Sequence, residues 1–157
     1  MVRFKNRWLL VEFIPYSKDG ASIQSSDSSL STKQIWSAVR DSVLSNFGDV
    51  GWGAVGSSLT VKYFSPTTNL SIIRVAREHH RIAWGAVTLL KALQGKPYIP
   101  NVIHVSGTIK QAQLAAITHN REAVARLRAQ AKLPAMYQST YDEYLDSSTK
   151  EIEALQD

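Results

Sequence analysis

Cysteine is absent from all 157 residues. Its absence excludes disulfides, Cys-ligated zinc sites and a thiol nucleophile, and fits an intracellular protein. Long apolar runs are missing too. The longest, such as Trp8 to Val11, are far short of the roughly 18 residues a membrane helix needs. The opening carries Arg3, Lys5 and Arg7, but the apolar segment behind them is broken by Glu12 and ends at Pro15, so it does not read as a secretory leader. A protein without membrane association is expected.

Signatures of catalysis are equally scarce. There is no H-E-x-x-H and no G-x-S-x-G. His79 and His80 adjoin each other without an i+4 partner, and His104 and His119 stand apart. Surface or partly buried histidines are the plainer reading than a metal or catalytic site. The run Gly51-Trp52-Gly53-Ala54-Val55-Gly56 matches G-x-G-x-x-G. A dinucleotide fingerprint needs a strand before it and a helix after it, so that the helix N-terminus meets the phosphate. Here a helix precedes and a strand follows, so residues 48–57 read as a Gly-rich connector.

What the sequence does hold is positive charge, unevenly spread. Residues 1–134 carry 17 Lys+Arg against 7 Asp+Glu, whereas residues 135–157 carry Lys150 against six acids. A basic body with an acidic tail points to a polyanionic partner.

The pattern along the chain predicts a strand over 3–14, closed by Pro15, and a Ser-rich solvated loop over 17–31. A helix is predicted over 31–46, capped by Ser31 or Thr32, with Ile35, Val39 and Val43 on its apolar stripe. Strands at 58–64 and 70–77 flank a hairpin loop, Ser65-Pro66-Thr67-Thr68-Asn69. A second helix is expected over 78–94, with Ile82, Val87, Leu90 and Leu93 on its apolar face and Gly95 as its stop. A strand at 101–109 and a third helix at 110–131 follow, the helix carrying Leu114, Ile117, Val124 and Leu127 at helical spacing. The acidic tail has weak helical character and is expected to be partly flexible.

This order, β-α-β-β-α-β and then a helix, is the α+β ferredoxin-like or RRM-like split βαβ arrangement with an extra C-terminal helix. It places an RRM-like α/β domain at 1–134 and an acidic tail at 135–157. A four-stranded antiparallel sheet should have both crossover helices on one face. The third helix should cover part of the open face or its edge.

Basic residues gather at strand ends. Arg3, Lys5 and Arg7 alternate along the first strand, Arg74 and Arg77 close another, Arg81 starts the helix after it, and Lys110 follows the last strand. Two readings stay open: phosphate neutralisation, or solvated charge that blocks edge aggregation. A base-stacking RNA module needs aromatics on its central strand. LSIIRVAR has none, so grip through backbone and shape suits the residues better.

MVRFKNRWLL, the strand pair LTVKYF and SIIRVARE, and VSGTIK before a helix together resemble the Pop-five family of protein subunits of ribonuclease P and ribonuclease MRP. The resemblance covers about residues 1–128. It implies an RRM-like fold and a role in stabilising the ribonuclease P or MRP RNA, which itself cleaves with magnesium while the protein binds no cofactor. The implied reactions are removal of the precursor tRNA 5′ leader and cutting of precursor rRNA. A TIM-barrel-like partner of the Rpp-thirty or Rpp-one type and other particle proteins are implied, as is a nuclear, largely nucleolar location. RNA contact carries over to Arg3, Lys5, Arg7, Arg74, Arg77 and Lys110, with Ser106, Gly107 and Thr108 completing the VSGTIK motif. Arg81 joins them on charge, and the second helix, through Ile82, Trp84, Val87 and Leu90, is assigned to protein contact. Two rival expectations are a small phosphate-ester or acyl-phosphate hydrolase on the same scaffold and another ribonucleoprotein subunit, such as a ribosomal protein.

Overall fold

The computed structural model describes residues 5–17, 30–131 and 136–157. Its elements are β1 (Asn6–Pro15), α1 (Thr32–Val55), β2 (Thr60–Ser65), β3 (Leu70–Ala76), a 3-10 turn (Arg77–His79), α2 (His80–Thr88), β4 (Ala92–Leu93), β5 (Lys96–Ser106), α3 (Ile109–Ala131) and α4 (Met136–Glu153). The sheet order is β2-β3-β1-β5-β4, antiparallel throughout. Setting aside the two-residue edge strand β4, this is the ferredoxin-like arrangement, with β1 in the middle.

Alternation along β1 supplies two cores. Leu9, Val11 and Phe13 face one way, joined by Ile73 and Val75, and are covered by Ile35, Val39 and Val43 of α1 and Ala83, Ala86 and Val87 of α2. Each fully buried valine or leucine there stabilises the fold by about 1.5–3 kcal/mol. Trp8 and Leu10 face the other way with Leu70 and Ile72, and are covered by α3 and α4. The register Leu9↔Ile73 and Leu10↔Ile72 holds these sets on their own faces, since a slip of one residue would exchange them.

Several boundaries differ from the sequence reading, each for a local reason. Ser31 and Gln34 form a capping box that starts α1, the Gln34 N–H donating to Ser31 Oγ at 3.3 Å and the Ser31 N–H to Gln34 Oε1 at 2.9 Å. The helix then runs through the segment read as a connector, kinked at Gly48, where φ is +67°. Gly51 permits the second part, because a Cβ there would lie 2.4 Å from Phe47 Cβ. The helix expected over 78–94 is α2 alone, ending at Thr88. Gln94 and Gly95, both at positive φ, instead turn β4 into β5, the conformation a two-residue hairpin favours.

The third helix covers the open sheet face as expected, but not through its largest residues. Ala112, Ala116 and Ile117 face the sheet, while Leu114 is 58% exposed. The bulk of Trp8, wholly buried beneath, leaves room for alanine rather than leucine. The acidic segment, read as weakly helical, forms α4 and sits on the same face. Ile152 is its buried apolar anchor, with Leu155 packed beside it, and polar contacts complete the attachment. The Tyr63 and Ser148 hydroxyls lie 2.8 Å apart, Asn120 donates to Ser148 at 2.9 Å, and Thr68 donates to Asn120 at 2.8 Å. No helix among the described residues is long and apolar enough to cross a membrane.

Candidate nucleic-acid interface

β5 ends at Ser106 and α3 begins at Ile109, so Gly107 and Thr108 make the tight turn between them. The buried Ser106 hydroxyl donates to the Thr108 carbonyl at 2.9 Å. The Thr108 hydroxyl accepts from the Gln111 N–H at 3.4 Å, as a helix N-cap does. The first turn of α3 therefore opens beside β1, which runs antiparallel to β5. There Lys5, Asn6 and Arg7 meet Gly107, Thr108, Ile109, Lys110 and Asp157 around a cavity of about 350 Å³.

Arg7 is held in this cavity. Its Nη1 donates to the Asn6 carbonyl at 3.2 Å. It also lies over Gly107, where an added Cβ would stand 3.3 Å from that nitrogen. Glycine here serves close approach, not an unusual backbone angle. Lys5 and Lys110 are exposed at the rim. Three cations and the positive end of a 23-residue helix thus converge on one hollow. A phosphate, carrying negative charge on several acceptor oxygens, matches that set.

The sequence-predicted residues divide accordingly. Lys5, Arg7, Gly107, Thr108 and Lys110 line the cavity, and Ser106 braces its turn. Arg77 stands across from Lys5, its N–H donating to the Lys5 carbonyl at 2.9 Å, and its side chain is exposed but does not line the cavity. Arg74 lies on the sheet opposite Trp8, partly buried, with no partner for its buried Nε. Arg81 is exposed on α2 and lines no part of the cavity. Arg3 lies outside the described residues. Asn6, Ile109 and Asp157 complete the lining and were not anticipated. Asn6 falls between the alternating cations, and nothing local links Asp157 to residues about 150 positions earlier.

The residues expected to meet another protein need correction. Val87 is fully buried between α2 and the sheet, and Ile82 and Leu90 pack partly against the same core. Burial there removes Val87 from any outer surface. Trp84 does face outward, 41% exposed, with Leu89 at 51%. Phe47 borders them: a Cβ on Gly85 would lie 3.0 Å from its ring. A larger hollow of about 470 Å³ lies between α1 and β4, but its one cation, Lys91, faces a lining that includes Asp41. Among the described residues no group of three or more His, Asp or Glu side chains is placed to hold a metal ion.

Comparison with known proteins adds a family. The Rpp14/Pop5 family profile matches residues 7–117. The ribonuclease P/MRP protein subunit POP5 of Schizosaccharomyces pombe is 51% identical over 127 residues, covering 79% of this chain and 91% of its own. The human protein of that name is 32% identical over 125 residues, covering 77% and 73%. A chain in a cryo-EM structure of yeast ribonuclease MRP shares the fold, with a TM-score of 0.54 at 9% identity, over 81% of this chain and 98% of that one.

Proposed function

Because the chain belongs to the Rpp14/Pop5 family, we propose that it is a protein subunit of a ribonuclease P or ribonuclease MRP particle and grips the particle RNA through the Lys5–Arg7–Lys110 cavity. The observation that carries this is the convergence of those cations on the first turn of α3. Phosphates docked there fix the position of the RNA without reading its bases. The sheet face that would stack bases in an ordinary RNA-recognition module is covered here by α3 and α4.

In this reading the RNA carries out phosphodiester hydrolysis with its own magnesium, and the protein shapes and neutralises the fold that does so. Precursor tRNA leaders and precursor rRNA are the substrates of the particle, and the nucleus and nucleolus its location. A TIM-barrel-like partner of the Rpp-thirty or Rpp-one type docks on the apolar surface around Trp84, Leu89 and Phe47.

The test is binding of the chain to ribonuclease P or MRP RNA across a salt series. Changing Lys5, Arg7 and Lys110 together to Ala should weaken binding. It should also flatten the log–log salt slope by about 2–3, given roughly 0.7–0.9 for each phosphate no longer neutralised. An unchanged slope would place the RNA elsewhere.

A further inference from the structure

α4 ends beside the basic cavity, and its position there is built. The buried Gln113 of α3 donates from Nε2 to the carbonyls of Ile152 and Leu155, each at 2.9 Å. Ile152 is fully buried and Leu155 packs against the same cluster. This clamp turns the chain after α4 toward β1, where Asn6 Nδ2 donates to Asp157 Oδ1 at 3.2 Å. The Asp157 carboxylate becomes part of the wall shared with Lys5, Arg7 and Lys110. The other acids of this segment, Asp142, Glu143, Asp146, Glu151 and Glu153, do not line the cavity. Asp142 instead pairs with Arg128.

We infer that Asp157 is an intramolecular competitor for the phosphate-binding cavity, and that RNA must displace or outbid its carboxylate to bind. The inference rests on reading the cavity as an RNA phosphate site. A carboxylate and a phosphate are both negative oxygen acceptors, and Asp157 lies in the wall of the hollow that the three cations and the helix end line. A second negative charge in the cavity is repelled by the first. Asp157 is exposed and touches Asn6 rather than a cation, so solvent screens the effect and it is modest.

The experiment compares the full chain with Asp157→Asn and with Glu143→Gln, which removes the same charge from an exposed position of α4 away from the cavity. Binding to in-vitro-transcribed ribonuclease MRP RNA is measured at roughly 0.05 M and 0.5 M monovalent salt, where screening lengths differ severalfold. Asp157→Asn should bind about two- to fivefold tighter at low salt, with the gain largely gone at high salt, and Glu143→Gln should change little. Equal effects of the two substitutions, or none from Asp157→Asn, overturn the competition. The Lys5/Arg7/Lys110→Ala protein separates the two ideas. If it loses RNA while Asp157→Asn behaves like the parent, the RNA site stands and only the competition falls. If it binds RNA like the parent, both fall. A direct readout is the Asn6 side-chain amide resonance, which should shift when RNA is added to the parent chain. An unmoved resonance at saturating RNA also overturns the inference.

Discussion

At Gly107 a single hydrogen atom decides where a guanidinium can rest. A methyl group there would sit 3.3 Å from Arg7 Nη1, closer than a neighbour comfortably tolerates. Arg7 would have to retreat by a few tenths of an ångström from the position its bond to the Asn6 carbonyl now fixes. Gly107→Ala is therefore expected to lower RNA affinity by roughly two- to tenfold, about 0.4–1.4 kcal/mol on the usual scale, with melting temperature nearly unchanged. Melting curves run beside RNA titrations check both halves of this. Single residues were also where the sequence was most and least informative. Lys5, Arg7 and Lys110 announce themselves by position at strand ends, while their convergence on one cavity comes from the pairing of β1 with β5, which no local spacing shows. Arg81 carries the same charge but faces solvent elsewhere, because helix phase rather than charge sets where it points. Val87 looks like a surface anchor only while the helix is considered apart from the sheet it covers.

Among the elements, α4 is the one that apolar spacing conceals. Its attachment runs through hydroxyls and amides: Tyr63, Ser148, Asn120 and Thr68 form a connected set, with Tyr144 against Ser65 at its edge. Removing Asn120 leaves the Thr68 and Ser148 hydroxyls short of a partner in a buried place. Asn120→Ala should cost about 1–3 kcal/mol, a fall in melting temperature of roughly 3–10 °C for a chain of this size. Thermal unfolding followed by circular dichroism measures it. Burial also pushes the Tyr63 phenol above its ordinary value, and the Tyr98 phenol likewise. With the folded-state value raised, the unfolded chain releases its proton first as pH rises. Stability is thus whole below the ordinary tyrosine value and declines as pH climbs beyond it. Urea titrations above pH about 10 should show a shallower decline in Tyr63→Phe than in the parent chain. Elsewhere, the first three strands and α1 up to its kink at Gly48 were legible from apolar patterning, since that pattern is set by burial itself, whereas the part of α1 beyond Gly48 reads as a connector. The end of α2 was not. An apolar run ending in Gln94-Gly95 suits a helix stop and a hairpin equally, and the positive φ of both residues decides for the hairpin.

For the molecule as a whole, the basic cavity and the exposed apolar residues are carried by different elements. The cations gather at the end of the sheet where β1 begins, while Trp84, Leu89 and Phe47 lie across α1 and α2. Trp84→Glu should spare RNA affinity yet weaken capture of the proposed TIM-barrel-like partner at least tenfold, since a desolvated charge in an apolar contact costs well over 1.4 kcal/mol. Pull-down with that partner and RNA titration of the same preparation would show the two effects separating, and partner capture at parental levels would move the docking surface elsewhere. The fold class was readable because the strand order β-α-β-β-α-β has few compact solutions. The cavity's full lining was not, because it joins residues from both ends of the chain.

That junction has a consequence for how the chain comes to be folded. β1 lies between β3 and β5, so a strand made before both must wait for partners made much later. Trp8 pairs with Arg74 on one side and with Ser106 on the other. Closing loops of such length before any reward arrives slows the search. A nascent chain halted short of Ser106 holds a half-built centre, its Trp8 side uncovered until α3 emerges behind it.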